Sequence, residues 1–343
     1  MFLMSILKFP TRRALVRAAA ATAALALGAS LTACSGQTSG GAKNADGTLP
    51  VSVSFYPIQY LVEAIGGDHV TVTSVTPTNV EPHDYELSPK DVTGLSSAAI
   101  IAYVSGFQPS LDDAVAQVDG PTVVDLAGSV SLEHHDGVSE EHDHDGEEAG
   151  DHSSAEAHES ETAHDHEHEG DGAALDPHFW LDPQRMVSAA NAIEAALSKA
   201  DPDNAADYKA NLATLTTTLE DLDTSYSTGL AQCQRTTFVT SHAAFGYMAE
   251  RYGLTQTSIS GIDPDSEPSP ADLAAVKQVV QDTGTTTIFT EELVSPETAE
   301  ALASETGAST AVLNPIESAP EGSDYAGAMT TNLQELRTAL SCQ

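Results

Sequence analysis

The chain has 343 residues, with 13 Lys and Arg against 51 Asp and Glu, a formal net charge of -38 at pH 7. A surface of that sign excludes nucleic acid and an anionic membrane face as partners, because both require positive charge. Cations or basic surfaces are left as partners, and the length offers material for two modest domains.

At the N-terminus, Lys8, Arg12, Arg13 and Arg17 precede or enter an apolar run over residues 18–29, which leads to Leu31-Thr32-Ala33-Cys34. The run is too short to span a membrane by itself. Residues 1–33 read as a bacterial export signal whose end resembles a lipobox. That resemblance implies that Cys34 is diacylated and becomes the new N-terminus, anchoring the protein at the outer face of the cytoplasmic membrane; an ordinary signal peptide with an incidental cysteine is the alternative. Arg12-Arg13 leaves export by the Sec or the twin-arginine route open. Residues 34–48, rich in Ser, Gly and Asn, read as a flexible tether. With Cys34 consumed, Cys233 and Cys342 remain of three cysteines. In an exported protein such a pair reads as a disulfide, with two free thiols as the alternative.

From residue 49 the pattern alternates. Strands are expected at 51–55, 70–75, 98–104 and 122–125, with helices at 59–66, 88–96 and 109–118 between them. This 49–132 segment reads as an α/β domain with a mostly parallel sheet. Nine of the 13 histidines follow in a tract without Lys or Arg: His134, His135, His142, His144, His152, His158, His164, His166 and His168. Residues 133–174 lack the apolar content to offset ordering entropy and are expected to form a disordered, weakly metal-binding loop. A solvated spacer is the alternative reading. Residues 175–232 close the first domain and form a long connector. Tyr208, Leu212, Leu215, Leu219, Leu222 and Tyr226 recur at spacings of three and four, the stripe of a helix over residues 204–228. Alternation resumes in 233–343, with strands at 237–240, 254–259, 286–290 and 309–313 and helices at 243–251, 270–283, 296–306 and 325–340.

Four histidines lie outside the tract: His69, His83, His178 and His242. His83 falls in the loop after one expected strand, and His242 two residues after another, where it is expected to open a helix. Ligands of open parallel sheets bind beyond the carboxyl ends of strands. His178 lies beside the single Trp, where the tract meets the connector. Three neutral imidazoles and one oxygen suit a tetrahedral Zn²⁺. His69 keeps an ordinary surface role.

The chain resembles the zinc-binding lipoproteins of bacterial ABC importers, the ZnuA-like metal-binding branch of the solute-binding proteins. The resemblance rests on Glu81-Pro82-His83-Asp84-Tyr85, Asp176-Pro177-His178-Phe179-Trp180-Leu181-Asp182-Pro183, Ser241-His242-Ala243-Ala244-Phe245-Gly246-Tyr247 and Ile288-Phe289-Thr290-Glu291-Glu292. It implies two (β/α)₄-like domains joined by a long rigid helix, with His83, His178 and His242 as metal ligands in the cleft between them. It also implies a monomeric, non-enzymatic receptor that delivers Zn²⁺ to an integral-membrane ABC permease. Many relatives carry an Asp after the last strand, where this chain has Asn314. The fourth ligand is therefore left among water, Glu81 and Asn314. One of Glu291 and Glu292 is expected to be buried against the connector, and Phe245 and Tyr247 to pack a helix. Manganese-binding relatives replace the third His by Glu, so zinc is the expected metal. A manganese receptor, a metal-storage or adhesin lipoprotein and, more distantly, a zinc hydrolase are the alternatives. The hydrolase lacks a His-Glu-x-x-His pair.

Overall fold

The computed structural model describes residues 43–135 and 175–343. The export signal, Cys34 and seven tract histidines (His142, His144, His152, His158, His164, His166 and His168) lie outside the described residues.

The first half runs β1 (Leu49–Val53), α1 (Tyr56–Gly66), β2 (Val70–Ser74), α2 (Pro89–Ser97), β3 (Ile100–Tyr103), α3 (Pro109–Val115), β4 (Thr122–Asp125) and the single turn α4 (Ala127–Val130). Its four strands are all parallel, in the order β2-β1-β3-β4. β3 is buried on both faces, which is why it reads Ile100-Ile101-Ala102-Tyr103 without polar alternation. The second half repeats the plan. It has β5 (Thr237–Thr240), β6 (Thr255–Ser258), β7 (Thr287–Thr290) and β8 (Ser309–Val312), parallel in the order β6-β5-β7-β8.

Between the halves, a 3-10 turn (Phe179–Leu181) leads into α5 (Pro183–Ala200) and the connector α6 (Ala205–Gly229). Asp182 caps α5 by accepting from the Gln184 amide, and Pro183 suits the first turn, where no amide partner is needed. α6 spans roughly 37 Å at 1.5 Å per residue. It buries Tyr208, Leu215, Leu219, Leu222 and Tyr226, with Leu212 half-buried, so the expected stripe is the packed face. Helices α7 (Gly246–Tyr252), α8 (Pro270–Thr283), α9 (Glu297–Thr306) and α10 (Tyr325–Leu340) complete the second half. α2 and α8 both begin on a Ser-to-Asp capping box, Ser88 with Asp91 and Ser269 with Asp272. Each box satisfies two amides that the first turn leaves without partners.

The main apolar core does not stop at the boundary between the halves. Phe55, Phe107, Trp180, Tyr226, Phe245, Phe289 and Tyr325 belong to one cluster. The Phe55 ring lies 4.7 Å from Trp180 and 4.8 Å from Phe107, and Tyr60 stacks on Tyr325 at 5.1 Å. Smaller clusters sit on the outer side of each sheet, around Leu95 and Ile101 in one half and Val276 and Ile288 in the other. A disulfide joins Cys233 to Cys342, 109 residues apart in sequence, and links the entry of β5 to the end of α10. Among the described residues no helix is long and apolar enough to cross a membrane.

One local expectation changes. α7 begins at Gly246, so His242 stands in a loop and does not open a helix. The preceding amides are committed elsewhere, Ala243 N–H to Gly261 O at 2.9 Å and Phe245 N–H to the Gln256 side chain at 3.1 Å. The His242 carbonyl, which would accept the first bond of a helix opening there, is taken instead by Thr240 Oγ1 at 2.7 Å and Gln256 Nε2 at 3.0 Å.

Candidate metal centre

Four loops bring their side chains to one buried point. His83 comes from the loop after β2, His178 from the turn before α5, His242 from the loop after β5 and Glu317 from the loop after β8. All four are buried, with His178 and His242 fully so. His178 Nε2 lies 3.2 Å from His83 Nε2 and 3.3 Å from His242 Nε2. Glu317 Oε1 lies 3.3, 3.4 and 3.6 Å from the Nε2 atoms of His83, His178 and His242. A tetrahedron around Zn²⁺, with bonds of about 2.0–2.1 Å, has edges of about 3.3–3.4 Å. The five distances cluster around that edge.

The other face of two rings is held by carboxylates. His178 Nδ1 sits 2.8 Å from Asp176 Oδ1, which also accepts the His178 amide at 2.9 Å. His242 Nδ1 sits 2.6 Å from Glu291 Oε2, while Glu291 Oε1 accepts the His242 amide at 3.1 Å. With Nδ1–H donated outward, the Nε2 lone pair points to the centre, the tautomer a metal needs. His83 lies edge-on to Phe107, with ring centroids 4.6 Å apart. The buried Gln108 side chain donates to the Pro82 carbonyl beside it, at 2.9 Å.

Without a metal these groups share protons. Burial works against the charged form of His242, but the Glu291 and Glu317 carboxylates outweigh it and drive the group up to about 10. His178 also rises, burial being outweighed by Asp176 and Glu317, whereas burial lowers His83. Burial alone would raise Glu317, yet its bonds to the three imidazoles hold it well below the ordinary carboxylate range. One cation at the centre would replace the proton charge that now balances this carboxylate.

Three of the site residues read from the sequence therefore meet, and the expected fourth groups do not join them. Glu81 folds back to accept the amides of His83 and Asp84, at 3.0 and 3.3 Å. Its nearest carboxylate oxygen stays 4.0 Å from His83 Nε2, and burial, reinforced by Glu317, pushes its acid up to about 7. Asn314 is engaged locally: its Oδ1 accepts the Ile316 amide at 2.6 Å and its Nδ2 donates to Glu292 at 3.0 Å. The acidic group at the centre comes three residues later, from Glu317. The signal for it was a carboxylate further along the same loop, in Asn314-Pro315-Ile316-Glu317. The buried one of the Glu291-Glu292 pair is Glu291, and it lies against His242 rather than the connector. Tyr247 and Phe245 are buried in the core. His69 pairs with Asp207 at 2.9 Å on the surface of the connector. His135 departs from the loop reading: it packs on Tyr247 and reaches Asp176.

Residues 51–339 match the family described as "Zinc-uptake complex component A periplasmic", ZnuA. The chain belongs to that family. ZnuA-family proteins are metal-binding, solute-binding proteins and not enzymes. The chain is 34% identical over 325 residues to the high-affinity zinc uptake system protein ZnuA of Bacillus subtilis (strain 168), covering 90% of this chain and 93% of that one. It is 35% identical over 307 residues to the zinc-binding protein AdcA of Streptococcus pyogenes serotype M3, covering 85% of this chain. The chain spans 56% of the length of that AdcA, so it corresponds to about half of it. Among solved structures, the Zn(II)-bound ZnuA-like domain of Streptococcus pneumoniae AdcA superposes with a TM-score of 0.67 at 30% identity, over 86% of this chain and 99% of that one.

Proposed function

We propose that this chain is an extracytoplasmic zinc receptor. It captures one Zn²⁺ between its two halves on His83, His178, His242 and Glu317, and hands the ion to an ABC permease for import. The observation that carries this reading is the convergence of three imidazole Nε2 atoms and one carboxylate oxygen at the edge lengths of a zinc tetrahedron. Three neutral nitrogens with a single oxygen favour Zn²⁺ over Mn²⁺, which prefers an oxygen-rich shell. The relatives named for zinc support the same metal. In this reading Cys34 carries the lipid tether, the protein acts as a monomer, and the histidines of residues 142–168 collect zinc weakly.

Competition against a chromophoric chelator tests the receptor. One tight zinc per chain is expected, retained after deletion of residues 137–171 and lost in His178→Ala and His242→Ala. Tight binding that vanishes with the deletion and survives both substitutions would put the site in the tract and sink the proposal. Delivery is tested separately, by zinc uptake in cells that carry the permease with or without this chain; equal uptake would leave a binding protein without a transport role.

A further inference from the structure

His135 belongs to the acidic tract by sequence, at its N-terminal edge, yet it is built into the fold. The Glu133 amide donates to the Tyr247 hydroxyl at 2.7 Å, and that hydroxyl donates to the Asp176 carbonyl at 2.6 Å. The Asp176 amide closes the ring of contacts on Glu133 O at 2.8 Å. The segments entering and leaving the tract are thus joined to each other and to α7 of the second half. Arg185 covers the Tyr247 ring at 4.3 Å and pairs with Glu133.

On this neck the His135 ring stands edge-on to Tyr247, centroids 4.3 Å apart, with Nδ1 2.9 Å from Asp176 Oδ2 and Nε2 3.4 Å from Glu250. Asp176 is fully buried, and its two oxygens are divided: Oδ1 takes the His178 amide and Nδ1, and Oδ2 takes His135. A side chain at position 246 is incompatible with this arrangement. A Cβ built on Gly246 would fall 2.5 Å from the Cβ and Cγ of His135 and 2.9 Å from Asp176 Oδ2. The glycine therefore provides the slot in which the imidazole meets the carboxylate.

We propose that His135 is a positioning residue of the zinc centre: through Asp176 it fixes the orientation of the His178 imidazole, and Gly246 is the position that admits it. Without His135, one oxygen of a buried carboxylate loses its donor, and Asp176 must turn to find another. Any such turn moves the oxygen that orients His178. Partners of metal-bound histidines typically contribute ten- to hundred-fold in affinity. His135 is thereby assigned to the buried centre and separated from the other histidines of the tract.

The proposal rests on the zinc-receptor reading, so the test carries His178→Ala as a reference. Zinc dissociation constants are measured by chelator competition on the full chain, alongside melting temperatures of the metal-free proteins. His135→Ala is expected to weaken zinc by about tenfold or more, and His135→Asn, whose amide can donate to Asp176, to recover most of that loss. Gly246→Ala is expected to match His135→Ala. A deletion of residues 137–171 should leave affinity intact, whereas one that also removes His135 should not. Wild-type affinity in His135→Ala, or a His135→Asn variant as weak as His135→Ala, would overturn the proposal while leaving the receptor reading in place. Tight zinc in His178→Ala would instead overturn both.

Discussion

Asp176 and Glu291 perform the same task on two different histidines, each holding a ring nitrogen and the backbone amide of the same residue. Glu291→Gln keeps a hydrogen-bond acceptor and removes the charge. It is expected to lower zinc affinity by about ten- to hundred-fold, read by chelator competition; an unchanged affinity would show that the carboxylate only fills space. The pH response follows from His242. Its pKa is raised from an ordinary 6.5 to about 10, so its contribution to metal-free stability is complete below 6.5 and is lost as pH rises through about 10. The melting temperature of metal-free protein should therefore fall between pH 6.5 and 10, and more steeply than that of His242→Ala. Zinc affinity should rise over the same interval, because protons and metal compete for the same nitrogens. If affinity falls together with stability, imidazole ligation is wrong. The three histidines were legible because each stands beside a recognisable strand end or a Pro-flanked turn. Glu317 was not, because nothing in a hydrophobic pattern states how far a loop runs before it turns inward.

That loop shows why elements were easier to read than the segments between them. The α6 stripe follows a periodicity of 3.6, and the strands stand out as short β-branched runs between helical segments. The stretch after β8 is set by particular contacts. Ile316 adopts φ 60°, a left-handed conformation for a β-branched residue, at a cost of about 1–2 kcal/mol. It is held there by neighbours on both sides. Asn332 clamps both backbone groups of Asn314, Trp180 donates to the Pro315 carbonyl at 2.7 Å, and Asn79 donates to Ser318 Oγ at 2.7 Å. The chain brings partners to this turn from 79, 180 and 332, which local sequence could not foretell. For the connector, Leu219→Ala removes a fully buried side chain from the packed face and should cost about 2–5 kcal/mol in urea unfolding. Zinc affinity of the folded variant should stay unchanged, and a large loss would mean that α6 sets the geometry of the centre. Replacing Cys233 and Cys342 together by Ser opens a 109-residue separation and should cost about 4–5 kcal/mol, measured in the same way.

At the scale of the molecule, two halves with mostly parallel sheets were readable from the alternation of strands and helices, whereas their matching strand order is seen only in the structure. The continuity of the core between them was not readable either, since Phe55, Trp180 and Tyr325 lie in separate segments of the sequence. A shared core limits how far the halves can part, and any change on zinc binding should be a small hinge or shear adjustment. Solution scattering with and without zinc should give nearly superimposable curves. A marked compaction on adding metal would contradict a shared core.

The same continuity bears on how the ion gets out. An ion held by the four buried side chains that converge at the centre would sit against the shared aromatic core, where Phe107 lies beside His83 and Trp180 beside His178. Two strips flank the centre, residues 79–83 on one side and 314–318 on the other, fastened to each other by Asn79 to Ser318 and by His83 to Glu317. In the proposed receptor role these fastenings have to part before the ion leaves, so the lifetime of the bound ion measures how firmly the two strips are joined.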